Sequence, residues 1–556
     1  MEFERSGCVS KIDQQLKEAI VAAVKEAFEL ELNVDEVVIE IPKDKSHGDY
    51  ATNTAMKICK RVQNNPRNVA TAICDKLDKE AASVDHMEIA GPGFINFFMK
   101  ADSISDVIKV VLDQQDRYGC SDAGKGISYN IEYVSANPTG DLHPGHARGA
   151  SMGDSIARLM KMAGYEVTRE YDVNDAGNQI RNMALSLQAR YMQACGKEAE
   201  MPEDGYHGQD LVAIASKIKA EEGERFADMP LEESFAFFRQ YGLKAELEKL
   251  KSDLALFNVE FDVWSSEQSI YDRGLVKKAL NTLIEQGNTY EAEGALWLKT
   301  TDFGDDKDRV LVKSDGSYTY LTPDIAYHLD KLDRGYDHLV NLFGADHHSY
   351  ITRLKAAIQA LGYESDKLDV DIVQMVRMIK DGEEFKLSKR SGKALALRDL
   401  VEEAGSDAVR YFFASRAGDT QMDFDLDMAT KKSNENPVYY AQYAHARMCS
   451  ILASAEDITL AESYELITHP KELDLLKHIN EFPGVVADAA RTRMPHKMCN
   501  YIAKLAAYFH SFYGDCKVID RDNMEMSAQR LALVKAAEIT MKNALNSIGV
   551  SAPEKM

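Results

Sequence analysis

The first part of the chain alternates between helix and strand patterns. Residues 11–30 place apolar side chains at helical spacing, which predicts an amphipathic helix. The stretch VDEVVIEIP that follows predicts a strand, and HMEIAGPGFINFFM predicts a second one interrupted by Gly91, Pro92 and Gly93. These elements predict a compact α+β unit over residues 1–115, followed by the polar linker DQQDRYGCSDAGKG.

A different order of elements begins at Ile127. ISYNIEYVS predicts a strand, HARGASMGDSIARLMKMAG a helix that ends at Gly164, and YEVTREYDV another strand. Strand–helix–strand order is typical of parallel, doubly wound sheets, so we predict a Rossmann-like domain over residues 125–400. Residues of about 185–290 are acidic and predict a mostly helical insertion in that domain. The strand pattern resumes with GALWLKTTDF, RVLVKSDG, YDHLVNLFGADH and KLDVDIVQMVRMIKDG.

The last third of the chain has an almost purely helical pattern. It predicts an all-α bundle over residues 431–556, preceded by a connecting segment over 401–430. The predicted fold class is therefore multidomain α/β, with an N-terminal α+β domain, a doubly wound middle domain and a helical C-terminal domain. The amphipathic stretches of the bundle lie at about 430–455, 472–492, 496–513 and 526–548.

The composition of the 556 residues is ordinary for a soluble globular protein, with 45% hydrophobic and 28% charged residues. No window approaches the roughly 20 apolar residues that span a bilayer, and the charged N-terminus lacks a signal-peptide core. These features predict a cytoplasmic protein with no membrane partner. The eight cysteines include no CxxC pair, so we expect buried free thiols, no disulfide framework and no protein-bound zinc or other metal.

The net charge of −24 argues against a nucleic-acid partner, but the charge is unevenly distributed. Residues 431–556 carry 15 basic and 15 acidic side chains, whereas residues 1–430 carry 51 basic and 75 acidic ones. The C-terminal third would therefore repel RNA least.

The loop ANPTGDLHPGH, residues 136–146, links a predicted strand to a predicted helix, where doubly wound folds bind ligands. Pro144 suits the first helical turn, and Gly145 leaves room for a ligand. His143 and His146 flank the helix N-terminus, which favours anions. Two imidazoles there would stabilise charge that develops on a phosphate during phosphoryl or nucleotidyl transfer. The alternative is an ordinary capped turn that carries two histidines.

A second basic element lies in DGEEFKLSKRSGKALAL. It presents Lys386, Lys389, Arg390 and Lys393 on a glycine-flanked polar stretch. One interpretation is a loop whose ammonium groups neutralise a triphosphate, with Lys389 on the leaving pyrophosphate; the other is a solvated charged loop. The chain contains no GxxxxGK[ST] motif, so it must bind any ATP without a P-loop.

HPGH and KLSKR together resemble the paired HxGH and KxSKx motifs of class I aminoacyl-tRNA synthetases. Over nearly its whole length the chain resembles the arginyl-tRNA synthetase family in particular. The blocks that carry this resemblance are HGDYATNTAM, AGPGFINF, IEYVSANPTGDLHPGHARGA, YDVNDAGNQI, SYTYLTPDIAYHLDK, LFGADHH, GSDAVRYFFASR and NPVYYAQYAHAR.

The resemblance implies an arginine–tRNA ligase. Such an enzyme condenses L-arginine with ATP, accompanied by Mg²⁺, to arginyl-adenylate and pyrophosphate. It then transfers the arginyl group to the 3′-terminal ribose of tRNA-Arg and releases AMP. The family also implies a monomer that needs bound tRNA for activation. Two alternatives are another HxGH nucleotidyltransferase with a small-molecule product and a catalytically inactive tRNA-binding paralogue.

A guanidinium substrate calls for carboxylates in bidentate geometry, often beside an aromatic ring. By the resemblance, Tyr320 and Asp324 hold the guanidinium, while Glu132 and Asn137 orient the substrate. In isolation, Glu132 could equally be a solvated strand-end carboxylate and Tyr320 a half-buried strand aromatic. The full set that we predict to bind arginine is Glu132, Ser135, Asn137, His143, Tyr320, Asp324 and His347.

For ATP, the resemblance implies a site shared between the two motifs and LFGADHH. Asp346 could instead cap a helix, and the role of His347 stays open between nucleotide and amino acid. The predicted catalytic residues are His143, His146, Lys386 and Lys389. The predicted ATP-binding set is His143, Gly145, His146, Gly344, Asp346, His347, Lys386, Ser388 and Lys389.

For tRNA, one predicted helix carries several aromatic side chains. Spacing of three and four residues puts Tyr440, Tyr443 and Arg447 on one face, where rings can stack on bases and arginine can meet phosphate. Core packing of the tyrosines is an equal alternative. The predicted tRNA-binding set is Asn53 and Phe94 in the N-terminal unit, and Tyr439, Tyr440, Tyr443 and Arg447 in the C-terminal one.

Overall fold

A computed structural model describes residues 11–40, 42, 47–347, 349–385 and 395–556, with the side chains of all these residues except 11–13, 101–103 and 346. No helix in these ranges is both long and apolar enough to cross a membrane.

The N-terminal unit packs helices against a four-stranded antiparallel sheet of order β1-β2-β4-β3. Its elements are α1 (Lys11–Phe28), β1 (Ile39–Glu40), β2 (Tyr50–Thr52), α2 (Thr54–Ile58), α3 (Pro66–Lys76), β3 (Val84–Ala90), β4 (Phe94–Met99) and α4 (Ala101–Gln114). The interrupted strand is confirmed as the β3–β4 hairpin. At its turn, a Cβ on Gly93 would lie 2.8 Å from the carbonyl oxygen of Pro66.

Two details of this unit differ from the sequence-based prediction. The stretch predicted as a strand begins with a 3₁₀ helix, Val34–Glu36, because the Glu36 carboxylate accepts the backbone N–H of Asn33 at 2.9 Å. The predicted linker is partly helical, because α4 continues to Gln114 and buries Val107, Ile108 and Val111.

The middle of the chain forms a five-stranded, wholly parallel sheet, which confirms the doubly wound prediction. Its strands follow the order β12-β11-β5-β6-β7. The elements of this part are β5 (Ser128–Glu132), α5 (Pro144–Met162), β6 (Glu166–Val173), α6 (Gly177–Ala194), α7 (Gln209–Glu222), α8 (Leu231–Leu256), β7 (Val263–Ser266), α9 (Glu267–Asp272), α10 (Leu275–Glu285), β8 (Thr289–Ala292), β9 (Ala295–Leu298), β10 (Arg309–Val312), α11 (Leu321–Asp333), β11 (His338–Gly344), α12 (Tyr350–Ala360), β12 (Leu368–Val373), β13 (Val376–Lys380) and β14 (Glu383–Glu384).

Three strand assignments need correction. The short strand β7 lies inside the predicted insertion but pairs with β6, so the parallel sheet takes one edge from that segment. GALWLKTTDF and RVLVKSDG do not rejoin the parallel sheet; β8, β9 and β10 form their own antiparallel sheet. KLDVDIVQMVRMIKDG divides at Gln374, because its N–H bonds to the carbonyl of Gly418 and its carbonyl accepts Arg148.

The C-terminal third is a helical bundle, as predicted. Its elements are α13 (Leu397–Ala404), α14 (Ser406–Ala414), β15 (Met422–Asp425), α15 (Leu426–Thr430), α16 (Pro437–Ala453), α17 (Pro470–Thr492), α18 (His496–Asp515) and α19 (Met524–Ser547). The strand β15 pairs with β13 in a small sheet of order β14-β13-β15. A fully buried ion pair between Arg410 of α14 and Asp154 of α5, at 2.6 Å, joins this part to the parallel sheet.

Candidate active site

A cavity of about 1400 Å³ lies where the parallel strands end. Its walls come from the loops after β5, β6 and β11, the start of α11 and the strand β13. The residues that sequence analysis placed in the arginine and ATP sites and that line this cavity are Glu132, Ser135, Asn137, His143, Gly145, His146, Tyr320, Asp324, Gly344 and His347. One cavity therefore brings both predicted half-sites together.

His143 and His146 form a stacked pair at the start of α5, with ring centroids 3.6 Å apart. Nδ1 of His143 accepts the backbone N–H of Gly145 at 3.0 Å and that of His146 at 3.3 Å, so His143 caps the helix. Nδ1 of His146 accepts the N–H of His143 at 3.3 Å in return. These bonds place each ring proton on Nε2, the nitrogen that can donate to an anion.

The His146 imidazole is neutral. Burial first, and then the neighbouring His143, lower its pKa to about 3. A Cβ on Gly145 would lie 2.8 Å from Cε1 of His143, so only glycine leaves the capping ring in place. The turn is thus built to present neutral N–H donors at a helix N-terminus, where an anion is favoured.

Another part of the cavity lining is acidic and includes Glu132, Asp172, Glu267 and Asp324, which together form an acidic wall. Ser135 links two of these, because its hydroxyl donates to Oε1 of Glu132 at 3.1 Å and its oxygen accepts the Asp172 N–H at 3.0 Å. The turn that allows this is strained, since Val134 and Ser135 both have positive φ, at 71° and 41°.

A fully buried lysine, Lys331 of α11, pairs with this acidic wall. Its ammonium lies 2.5 Å from Oε2 of Glu132, 3.5 Å from Oδ1 of Asn341 and 4.3 Å from the ring centroid of Tyr327. The alternative that Glu132 is a solvated strand-end carboxylate is therefore wrong: Glu132 is buried and ion-paired.

Asp324 is held in its ionised form. The Tyr350 hydroxyl donates to Oδ2 at 2.6 Å, and Nδ1 of the buried His328 lies 3.0 Å from Oδ1. The Asn341 amide donates to Nε2 of His328 at 2.8 Å and so directs the ring proton toward Asp324. Burial raises the pKa of Asp324, but His328, Tyr350 and the charge of Lys331 outweigh it and leave the pKa below its ordinary value.

Asp172 behaves in the opposite way. Burial, followed by the charges of Glu132, Asp324 and Glu267, raises its pKa well above the ordinary value, and Lys331 only partly offsets this. The pKa of Glu267 is also raised, by burial and then by Asp175 and Asp324. Among the residues that the structure describes, the acidic wall thus holds four carboxyl groups beside the ammonium of Lys331, which is the electrostatic setting that a cationic side chain stabilises.

The structure corrects the surroundings predicted for Tyr320. It is not a half-buried strand aromatic: it precedes α11 at the cavity wall and is 94% exposed. The aromatic hydroxyl that contacts Asp324 belongs to Tyr350. Asn137 faces the loop after β6, where its Oδ1 accepts the Asn174 amide at 2.9 Å.

Sequence analysis missed Asp172, Glu267, Lys331, His328 and Tyr350. Three of them lie inside motif blocks that were already recognised, Asp172 in YDVNDAGNQI and both His328 and Lys331 in SYTYLTPDIAYHLDK. The available signal for Lys331 was a charged residue between the apolar residues Leu329 and Leu332, both of which are buried.

Four predicted ATP-site positions lie outside what the structure describes: Lys386, Ser388 and Lys389 entirely, and the side chain of Asp346. The described residues that flank positions 386–394 are Phe385 and Leu395, and both line the cavity.

The predicted tRNA-contacting residues lie away from the cavity. On α16, the rings of Tyr439 and Tyr443 stack at 6.2 Å, and Arg447 donates to the Tyr443 hydroxyl at 3.2 Å. Tyr440 and Tyr443 both contact His510, at 4.9 and 6.1 Å between ring centroids. All four predicted residues of this helix are partly exposed, and Tyr440 also packs against the hydrophobic core.

In the N-terminal unit, Asn53 and Phe94 lie next to the last residue pair of a strand ladder. Thr52 of β2 pairs with Ile95 of β4 in antiparallel register, Asn53 follows Thr52, and Phe94 precedes Ile95. Both are partly exposed.

One cluster of metal-ligating residue types lies in the described part of the bundle: His445, Cys449 and Glu538. Its polar groups already have partners. Nδ1 of His445 lies 2.9 Å from the carbonyl oxygen of Pro553, Nε2 lies 3.4 Å from Glu538, and Lys535 donates to Glu538 at 2.6 Å. Hydrogen bonds that tie the C-terminal residues to the bundle account for this arrangement without an ion.

A parallel sheet with an HPGH helix start at its carboxyl edge, an acidic pocket beside it and a helical bundle at the C-terminal end define a class I aminoacyl-tRNA synthetase. Three family models match the chain in order. They are the arginyl tRNA synthetase N-terminal domain over residues 14–99, the class I (R) tRNA synthetase catalytic domain over 107–448 and the DALR anticodon binding domain over 441–556.

Individual relatives agree with the family models. The chain is 55% identical over 553 residues to the arginine–tRNA ligase 1 of Halalkalibacterium halodurans, covering 99% of this chain and 100% of the relative. It is 56% identical over 546 residues to the arginine–tRNA ligase of Bacillus subtilis, covering 97% and 98%. The Thermus thermophilus arginyl-tRNA synthetase structure shares the fold, with a TM-score of 0.76 at 21% identity and coverage of 98% of this chain and 100% of that one. The chain belongs to the arginyl-tRNA synthetase family.

Its activity is accordingly that of an arginine–tRNA ligase, with ATP, arginine and tRNA-Arg as substrates. The alternative of a nucleotidyltransferase with a small-molecule product is excluded, because the helical bundle matches an anticodon-binding domain.

Proposed function

We propose that the cavity holds ATP against the His143–His146 turn and the arginine side chain against the acidic wall, so that the arginine carboxylate attacks the α-phosphate between them. The observation that supports this most strongly is that one cavity is lined by both neutral N–H donors at a helix N-terminus and a surplus of carboxylates. Arginyl-adenylate forms as pyrophosphate leaves, and the 3′-terminal ribose of tRNA-Arg then takes the arginyl group and releases AMP.

On the ATP side, His143 and His146 donate from Nε2 to oxygens of the α-phosphate and stabilise the negative charge that grows in the transition state. ATP enters as its magnesium complex, and Lys386 and Lys389 meet the leaving pyrophosphate. Gly344 at the end of β11 allows the nucleotide to approach the backbone, and His347 lies beside it on the cavity wall. The contribution of the protein is mainly position and charge.

On the arginine side, the ionised Asp324 and the neighbouring Glu267 bind the guanidinium, and Tyr320 covers it at the cavity mouth. Glu132, oriented by Lys331 and Ser135, binds the α-ammonium group together with Asn137. Burial of these carboxylates makes their pairing with a cation strong.

For tRNA, we propose two contact regions. The cluster of Tyr439, Tyr440, Tyr443 and Arg447 stacks on unpaired anticodon bases, and Asn53 and Phe94 contact the tRNA from the N-terminal unit. The domain limits of 1–115, 125–400, 401–430 and 431–556, the monomeric state and a requirement for tRNA during activation stay predictions of the family resemblance.

Two substitutions that are expected to change different kinetic constants test this assignment. His146→Asn removes a donor from the phosphate site and is expected to lower kcat of aminoacylation by about 10²–10³-fold. Asp324→Asn removes a charge from the guanidinium site and is expected to raise KM for arginine by about 100-fold with KM for ATP unchanged. Asp333→Asn, at the partly exposed end of the same helix, serves as the control. The assignment is wrong if His146→Asn keeps its kcat, or if Asp324→Asn affects ATP and arginine alike.

A further inference from the structure

The long helix α8 lies in the acidic insertion, for which sequence analysis found no role. Two of its side chains, Lys249 and Asp253, are four residues apart and so lie on one face. Lys249 binds the loop that carries the histidine motif, because its ammonium lies 2.6 Å from Oδ1 of Asp141. Asp253 binds the segment that follows KLSKR, because its Oδ1 accepts Nε and Nη2 of Arg398 at 2.8 and 2.5 Å.

The two segments that α8 holds also touch each other directly. The backbone N–H of Leu397 donates to the carbonyl of Leu142 at 2.6 Å. Leu142 and Leu397 are both buried, as are Leu250 and Leu254 of α8, and α8 packs against α13, the helix that begins at Leu397. The two ion pairs of α8 therefore lie at the contact between the histidine loop and the segment that follows KLSKR.

The surroundings of Lys249 indicate that its ion pair with Asp141 is held in place and is not a solvated surface pair. Lys249 is 28% exposed and also lies 3.2 Å from Asp210 and 4.0 Å from Glu246. Burial lowers the pKa of Lys249, but Asp141, Glu246 and Asp210 outweigh it and raise the pKa above its ordinary value. Burial raises the pKa of Glu246 to about 7, and its Oε2 accepts no hydrogen bond from any residue that the structure describes. One ammonium thus holds three carboxyl groups at this junction.

The helix itself is firmly held. A Cβ on Gly242 would lie 2.8 Å from Sδ of Met183, so α8 packs closely against α6. Near its other end, Arg239 donates to the carbonyl of Asp175 and to the side chain of Gln268, each at 3.0 Å, beside the acidic wall of the cavity. Helix α8 therefore contacts the histidine loop through Lys249 and the loop after β6 through Arg239.

We propose that Lys249 and Asp253 are positioning residues for ATP: through them, α8 fixes the histidine loop relative to the segment from Leu395 to Arg398. This inference rests on the proposed roles of His143 and His146 in ATP binding. A displacement of about 1 Å between catalytic groups is enough to cost roughly 10²-fold in rate, so loosening the junction has a kinetic effect without touching a reacting atom.

The test measures steady-state aminoacylation of tRNA-Arg by the full chain, with ATP and arginine varied separately. Lys249→Met and Asp141→Asn are each expected to lower kcat by about 10-fold or more and to raise KM for ATP, with KM for arginine unchanged. Because both remove the same contact, the double variant is expected to be no worse than the poorer single one. Lys249→Arg is expected to restore most of kcat, and Asp253→Asn to repeat the ATP-specific defect.

The matched control lies on the same helix. Lys244 and Glu248 form a surface pair, 77% and 64% exposed with 4.0 Å between the charged atoms, and Lys244→Met with Glu248→Gln is expected to leave every parameter unchanged. Equal losses in the control, fully additive effects at Asp141 and Lys249, or a parallel rise of both KM values would overturn the proposal.

Two further outcomes separate possible failures. If circular dichroism shows that Lys249→Met does not fold, Asp141→Asn is used instead. Asp141 is about half exposed, so its substitution is expected to leave the fold intact. If His146→Asn loses activity while Asp141→Asn and Asp253→Asn keep it, the positioning proposal fails alone. If His146→Asn retains its kcat, the proposed ATP site fails first.

Discussion

Replacing Lys331 by methionine perturbs the acidic pocket most directly. The change keeps a long side chain of similar volume but removes the ammonium that lies 2.5 Å from Glu132 in a fully buried position. Glu132 is then left buried beside Asp172 and Asp324, whose charges already act on one another. Loss of one partner from a buried ion pair costs about 3–5 kcal/mol of unfolding free energy.

We expect Lys331→Met to lose about that amount in urea-induced unfolding at pH 7. The double variant Glu132→Gln with Lys331→Met removes both charges and is expected to recover most of the stability, because no uncompensated charge remains. It is not expected to recover aminoacylation, since the carboxylate that we assign to the α-ammonium group is gone.

The stabilities of the single and double variants show whether Lys331 stabilises the fold through its ion pair with Glu132. A Lys331→Met variant within 0.5 kcal/mol of the parent would refute the buried pair as described. A double variant less stable than the single one would show that Lys331 acts through a group other than Glu132.

Two other predictions concern binding. Because its pKa is raised, Asp172 favours the protonated form without arginine, whereas a bound guanidinium favours the carboxylate. KM for arginine is therefore expected to fall as pH rises, and Asp172→Asn is expected to flatten this pH profile. A KM for arginine that falls as pH is lowered would contradict the prediction. Tyr443→Ala is expected to raise KM for tRNA-Arg by about 5- to 100-fold with little change in KM for arginine, because stacking on one base contributes about 1–3 kcal/mol. The exposed Tyr290→Ala is the control, and an unchanged KM for tRNA would remove Tyr443 from the RNA surface.

Much of the architecture follows from local pattern. The β5–α5–β6 unit and the four long helices of the bundle were predictable. Each of these helices buries one continuous apolar face, and each of the two strands buries apolar side chains. The histidine turn was predictable as well, because Pro144, Gly145 and the capping geometry of His143 are all local.

The remaining differences come from long-range contacts. The four-residue strand β7 carries too little pattern to stand out between long helices, and it is a strand only because β6 lies beside it. Nothing in the residues around Gln374 marks the break in its strand, which depends on Arg148 and Gly418 far along the chain. The partner of Glu132 is likewise 199 residues away.

The central claim is that carboxylates beside the ATP site select the charge of a guanidinium. Citrulline tests it directly, because its urea group has nearly the shape of a guanidinium without the charge. We expect citrulline, measured as an inhibitor of tRNA-Arg charging with labelled arginine, to bind about 100-fold more weakly than arginine or worse, since each charged hydrogen bond contributes about 1.5–3 kcal/mol. A citrulline inhibition constant close to the KM for arginine would contradict the account.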